Sequence, residues 1–178
     1  MITTFKEFVP LALRTEAPTG HVPIPHARLF HAAIGLSTET GEIFEALGKY
    51  ALDRVNLSEE IGDCLWYLAI AYDAGFLDIT LSDQHQALDI VQVQGALLDV
   101  FKRSIFYGRP VDLEELKIQF NIFYVTLLDL ADGYNIDLSV SMTNCINKLK
   151  KRFPEKFTEA DAYERNTEEE YLVLGVNV

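Results

Sequence analysis

The chain reads as an all-α domain, a bundle of five to six helices, and three observations carry that reading. Apolar residues recur at helical spacing along most of the 178 residues. Strand-like alternation is absent except in the closing "YLVLGVNV". Short breaks containing Pro, Gly or Asp separate the periodic segments, and these residues cap and stop helices. With 49% hydrophobic residues the chain can bury one sizeable core, and no stretch resembles a linker between two. A single domain over 1–178 is expected, with 166–178 as a C-terminal tail.

The first periodic segment is "FKEFVPLAL", in which Pro10 predicts a kink or an early stop. "TEAPTGHVPIP" follows as a loop stiffened by its three prolines. A long pattern from about Ala27 to Leu52 has Leu29, Phe30, Ala33, Ile34, Ile43, Phe44 and Leu47 on its apolar side. The next, "NLSEEIGDCLWYLAIAYDAG", offers Ser58 as N-cap and Gly75 as stop. Three further helices are predicted: Asp83 to Phe106, closed by "YGRP"; Asp112 to Ala131, closed by "DGYN"; and Asp137 to Phe153, closed by Pro154. The apolar positions in "LWYLAIAY" and "FNIFYVTLLDL" are broad for a small bundle, which predicts a homo-oligomer, a dimer or tetramer.

Charge narrows the ligands. Fifteen Lys plus Arg against 27 Asp plus Glu give a formal net charge of −12, which opposes a nucleic acid polymer or an anionic membrane surface. A small phosphate ligand that carries its own metal remains compatible. Cys64 and Cys145 both sit in apolar helical patterns, where buried free thiols in a reducing compartment are expected. The N-terminal residues lack the uninterrupted apolar core of a signal peptide, and no run reaches membrane-spanning length, so a cytoplasmic location is expected.

Within "STETGEIFEAL", Glu39 and Glu42 stand three apart and therefore share one helix face. Glu60 and Asp63 repeat the spacing on the next helix, and a short connection lets an antiparallel pair of helices point both duos at one another. Four clustered carboxylates repel at about 1 kcal/mol per close pair even in water, so the cluster asks for a cation. Oxygen-only ligation suits Mg²⁺, with Mn²⁺ as substitute, and the four histidines supply no Zn²⁺-type spacing. Gly41 and Gly62 stand inside the two pairs although glycine lowers helix stability by about 1 kcal/mol, which predicts close backbone approach there. Glu45 and Glu59 lack this symmetry and are expected to face solvent.

"LFHAAIGLSTETGEIFEAL" followed by "NLSEEIGDCLWYLAIA" resembles the MazG-like all-α nucleoside triphosphate pyrophosphohydrolases, whose signature is ExxE, a spacer, then ExxD. The resemblance extends through "LLDVFKRSIFYGRPVD" to "NKLKKRFPEKFTEADAYERN", leaving only the last dozen residues. It implies a bundle of the MazG and dimeric-dUTPase type. It also implies Mg²⁺-dependent hydrolysis of a nucleoside triphosphate, (d)NTP plus water giving (d)NMP and pyrophosphate, with Glu39, Glu42, Glu60 and Asp63 as catalytic metal ligands. Some members have a second Glu just before the first ligand, proposed to help activate water; here that position is Thr38, and a hydroxyl is no general base near neutral pH. A ligand carboxylate, a metal-bound water or Glu59 would then take that part.

A triphosphate also needs basic partners. Lys102 in "DVFKRSIFYG" and Lys148, Lys151 and Arg152 in "NKLKKRF" are the candidates, although Lys151 and Arg152 also complement a helix C-terminus. Asn144 or Asn147 can bond a base edge, Trp66 either stacks on a base or belongs to the core, and His31 either lines the pocket or is a core histidine. Two other readings compete: a catalytically silent helical module that binds nucleotide or metal, which Thr38 favours, and a structural oligomer with a solvated acidic face, which the paired glycines disfavour. No glycine-rich phosphate loop ending in Gly-Lys-Ser or Gly-Lys-Thr is present, and the preferred nucleotide is not legible.

Overall fold

A computed structural model describes residues 1–48, 52–80, 87–164, 170, 172 and 174. Among them are seven helices and no strand: α1 (Phe5–Leu13), α2 (Ala27–Gly48), α3 (Arg54–Asp73), α4 (Ile90–Tyr107), α5 (Leu113–Gly133), α6 (Leu138–Arg152) and the short α7 (Glu159–Tyr163). Six are the anticipated helices, and α7 is an addition that begins at a Thr158 cap too far beyond Pro154 to continue α6.

Local chemistry explains most boundaries. Thr4 and Glu7 form a capping box at the start of α1. Asp53, Asp89, Asp112 and Asp137 cap α3, α4, α5 and α6 through their carboxylates. Gly75 and Gly108 take positive φ, 81° and 67°, just beyond α3 and α4, the left-handed conformation that ends a helix. α6 stops at Arg152, and Phe153 leaves the helical conformation ahead of Pro154.

Three boundary expectations are corrected. Pro10 neither stops nor shortens α1, which continues to Leu13; Pro10 is exposed, so water can serve the carbonyl its missing N–H leaves unpaired. Ser58 is not the N-cap of α3, because Asp53 accepts from Asn56 N–H a turn earlier; Ser58 is buried and its hydroxyl pairs with that of Ser141 at 2.8 Å. α4 begins at Ile90 rather than Asp83, and residues 83–86 lie outside the described residues. In "YLVLGVNV" only Leu172 and Leu174 are described, and both are helical rather than extended.

α3 is the central element. It is apolar on nearly every side, with Leu57, Ile61, Cys64, Leu65, Leu68, Ala69, Ile70 and Ala71 buried, and it packs against α1, α2, α5 and α6. α4 completes the bundle against α2 and α5. This central placement covers much of "LWYLAIAY" within the chain itself, and Phe120, Phe123 and Leu127 of α5 are likewise buried. Both cysteines are buried and free. Among the described residues no helix is long and apolar enough to cross a membrane.

Gly62 marks the contact between α3 and α6. A Cβ there would lie 2.8 Å from the Ser141 carbonyl oxygen and 3.2 Å from Cys145 Cβ, so only glycine lets the backbones meet. Gly41 does not repeat this: it is exposed with open space around it. The tight approach on α2 is instead at Gly35, whose added Cβ would stand 2.1 Å from the Tyr67 ring.

Candidate active site

The acidic pairs meet where α2 lies along α3. Glu39 and Glu42 of α2 and Glu60 of α3 each direct a carboxylate oxygen to one spot, all within 4.8 Å of one another. Glu39 and Glu60 are buried, 9% and 4% exposed, while Glu42 is exposed. Burial, then the charges of Asp63 and Glu42, push the Glu39 carboxyl up to about 7. Burial with Asp63, Glu59, Glu42 and Glu39 pushes Glu60 up to about 9. These carboxylates are thus short of positive charge.

Asp63, the fourth, is turned to a different partner. The pairings Ser58 with Ser141 and Gly62 with Cys145 ascend together along α3 and α6, so the two helices run in the same direction. Two turns beyond Ser141, this register carries Lys148 to the acidic cluster. Its ammonium bonds Asp63 and, at 3.1 Å, Glu59 Oε1, and Lys148 is only 2% exposed. Burial alone would lower the Lys148 pKa, but Asp63 and Glu59 outweigh it and hold the ammonium charged. Glu59, expected in solvent, therefore belongs to the site. The Thr38 hydroxyl lies 2.8 Å from the Gly35 carbonyl and 3.2 Å from Glu39 Oε1, so its one proton is shared between them.

The five carboxylates Glu39, Glu42, Glu59, Glu60 and Asp63, with Lys148, line a cavity of about 370 Å³. Its aromatic wall is His31, Trp66 and Tyr67, mutually edge-on with ring centroids 4.9 to 5.9 Å apart. The Trp66 indole N–H donates to the Ala12 carbonyl at 2.9 Å and Thr15 Oγ1 at 3.0 Å, which ties the wall to the end of α1. His31 Nδ1 is buried without a partner among the described residues, and burial holds the imidazole below its ordinary pKa, hence neutral. Opposite stand Arg152, Phe153 and Phe157. The chain between α6 and α7 is held by Arg14, whose guanidinium donates to the carbonyls of Phe153 at 2.8 Å, Pro154 at 3.3 Å and Glu155.

Of the residues singled out in the sequence, Glu39, Glu42, Glu60, Asp63, Lys148, Arg152, His31 and Trp66 line this cavity. Lys102, Lys151, Asn144 and Asn147 are not part of its lining among the described residues. Lys102 pairs with Asp99 on the outer side of α4. Lys151 is exposed, because the face of α6 that carries Lys148 is continued by Arg152 at i+4. Asn144 is buried and donates to the Leu174 carbonyl at 3.4 Å. Tyr67 and Phe157 line the cavity although neither stood out in the sequence; only the glycine at position 35, one helix away, hinted at Tyr67.

Residues 31–86 match the family described as MazG nucleotide pyrophosphohydrolase domain, a span that contains His31, the aromatic pair Trp66 and Tyr67, and all four carboxylates. Among curated proteins and among solved structures, none matches the chain. The matched span is less than half of the chain; it holds both acidic pairs and lies in an all-helical fold.

Proposed function

We propose that the protein is a Mg²⁺-dependent nucleoside triphosphate pyrophosphohydrolase, releasing pyrophosphate and a nucleoside monophosphate. The observation that carries this reading is the convergence of three carboxylates within 4.8 Å at a cavity that also presents Lys148 and Arg152. The donors suit the ion: three carboxylate oxygens within 4.8 Å of one another are the hard ligands Mg²⁺ takes. All donors are oxygens, and the nearby Cys64 and Cys145 thiols are held protonated by burial. Mg²⁺, or Mn²⁺ in its place, would be held by Glu39, Glu42 and Glu60, with Asp63 as fourth carboxylate. When bound it supplies charge neutralisation for the phosphates and favours ionisation of water.

The chain's own groups do the rest. Arg152 offers charge-assisted bonds to phosphate oxygens. Lys148 pairs with Asp63 and Glu59 and aligns them, a positioning role rather than the phosphate contact its sequence context suggested. With Thr38 unable to accept a proton, that duty falls to a cavity carboxylate. The aromatic wall of His31, Trp66 and Tyr67 is the apolar surface suited to a nucleobase. Apolar side chains exposed on α2 and α4, among them Ile34, Phe44, Val91 and Phe106, support assembly into a dimer or tetramer.

Thr38, together with the internal pairing of Lys148 and Arg152, favours a second reading, a silent nucleotide- or metal-binding module. A screen of common and modified (d)NTPs for pyrophosphate release with Mg²⁺ separates the two. The expected result is equimolar pyrophosphate and monophosphate, lowered about a hundredfold or more in Glu60→Gln. Mg²⁺-dependent nucleotide binding without release from any of them would establish the module instead. Isotopically labelled water would report which phosphorus is attacked.

A further inference from the structure

Glu170 sits against Arg152 at the basic edge of the cavity. Arg152 donates from Nε to Glu170 Oε1 at 2.8 Å and from Nη2 to Glu170 Oε2 at 2.5 Å. Two such bonds from one guanidinium to two oxygens of one anion are the geometry by which arginine holds carboxylate and phosphate alike. The pair is buried: Glu170 is 3% exposed, and Leu174, whose carbonyl accepts from Asn144, is 2% exposed. Glu170 and Leu174 thus meet α6 at Arg152 and Asn144. Glu170 also adds an anion beside a cavity that already presents five carboxylates, Glu39, Glu42, Glu59, Glu60 and Asp63.

We propose that Glu170 is a self-ligand: its carboxylate occupies, on Arg152, the anion subsite that a substrate phosphate takes, and it must leave Arg152 before a polyphosphate is fully bound. This rests on the triphosphate reading above. The exchange replaces one anion by another on the same guanidinium, so the measured affinity for polyphosphate is lowered by the fraction of molecules in which Glu170 holds Arg152.

Calorimetric titration of the full chain with inorganic tripolyphosphate and excess Mg²⁺ tests this in wild type, Glu170→Gln, Arg152→Gln and the double variant. Glu170→Gln is expected to bind about tenfold tighter than wild type. Arg152→Gln should bind more weakly, and the double variant should match Arg152→Gln. Unchanged or weaker binding by Glu170→Gln would overturn the proposal and make Glu170 a support for Arg152. So would the absence of tripolyphosphate binding in every protein. Hydrogen exchange on wild type needs no variant: saturating tripolyphosphate should speed exchange at Leu172 and Leu174, and unchanged exchange there sinks the proposal. Turnover is read separately. Tripolyphosphate differences without pyrophosphate release from any nucleotide would defeat the enzymatic reading alone, whereas turnover with a KM indifferent to Glu170→Gln would defeat the self-ligand alone.

Discussion

The acidic floor on α2 and α3 and the basic edge on α6 face one cavity, and they are neutralised in opposite ways. At the floor Glu39, Glu42 and Glu60 crowd together, and burial with mutual repulsion drives two of them toward protonation. At the edge each cation already has an anion: Lys148 has Asp63 and Glu59, and Arg152 has Glu170. The floor lacks positive charge that a cation supplies, while the edge must exchange an internal partner to engage an anion. Buried charge is stable only when paired, and the two regions place that requirement on different components, a ligand in one case and the chain in the other.

The comparison breaks most visibly at Lys148. Lys148→Met is expected to destabilise the protein by about 3–5 kcal/mol in chelator, because Asp63 and Glu59 are left without their cation. Saturating Mg²⁺ should recover more stability in this variant than in wild type. Thermal melts with and without Mg²⁺ check both statements, and a loss below about 1 kcal/mol would place the lysine among surface ion pairs.

The second expectation is the pH dependence of the floor without metal. Glu39 and Glu60 have folded-state pKa values of about 7 and about 9, above the ordinary 4.5. Between these limits the folded state holds more protons than the unfolded, so stability is fully present below about pH 4.5 and is lost as pH rises through 7 and 9. Mg²⁺ should flatten that loss. Denaturant titrations across that range in chelator and in Mg²⁺ measure it; a metal-free stability that rises with pH there would contradict the floor's charge deficit.

A smaller effect tests the aromatic wall apart from both charged regions. Gly35→Ala forces the Tyr67 ring away and should cost about 1–3 kcal/mol while raising KM for nucleotide. The Mg²⁺-induced rise in melting temperature should stay at the wild-type value, since no carboxylate is touched. The smallest effect belongs to Glu45→Gln. Glu45 is exposed and absent from the cavity lining, so stability should change by no more than about 0.5 kcal/mol and the metal response not at all.

Much of this site was legible because its rules are local. The three-residue spacing of Glu39 with Glu42 and of Glu60 with Asp63 puts each pair on one helix face whatever the rest of the chain does. Gly62 was legible for a related reason, since a helix-weakening residue beside a charge needs a packing explanation, and α6 supplies it. Gly41 carries the same signal without the contact, which shows that a glycine poses the question but does not answer it.

The helices themselves, the starts of α5 and α6 at Asp112 and Asp137, the stops at Gly75, Gly108 and Pro154, and the two acidic pairs were determined by the sequence alone, because each depends on neighbours within about one turn. Tertiary structure decided which groups those pairs meet. Glu59 points inward because Lys148, 89 residues later, arrives beside it. Arg152 rather than Lys151 reaches the cavity because α6 docks on α3 in the register set by Ser58, Gly62, Ser141 and Cys145. Tyr67 reaches α2 because position 35 has no side chain to stop it. Contacts of this kind depend on how two helix surfaces interlock, and surface fit between distant segments has no counterpart in the spacing of residues along one chain.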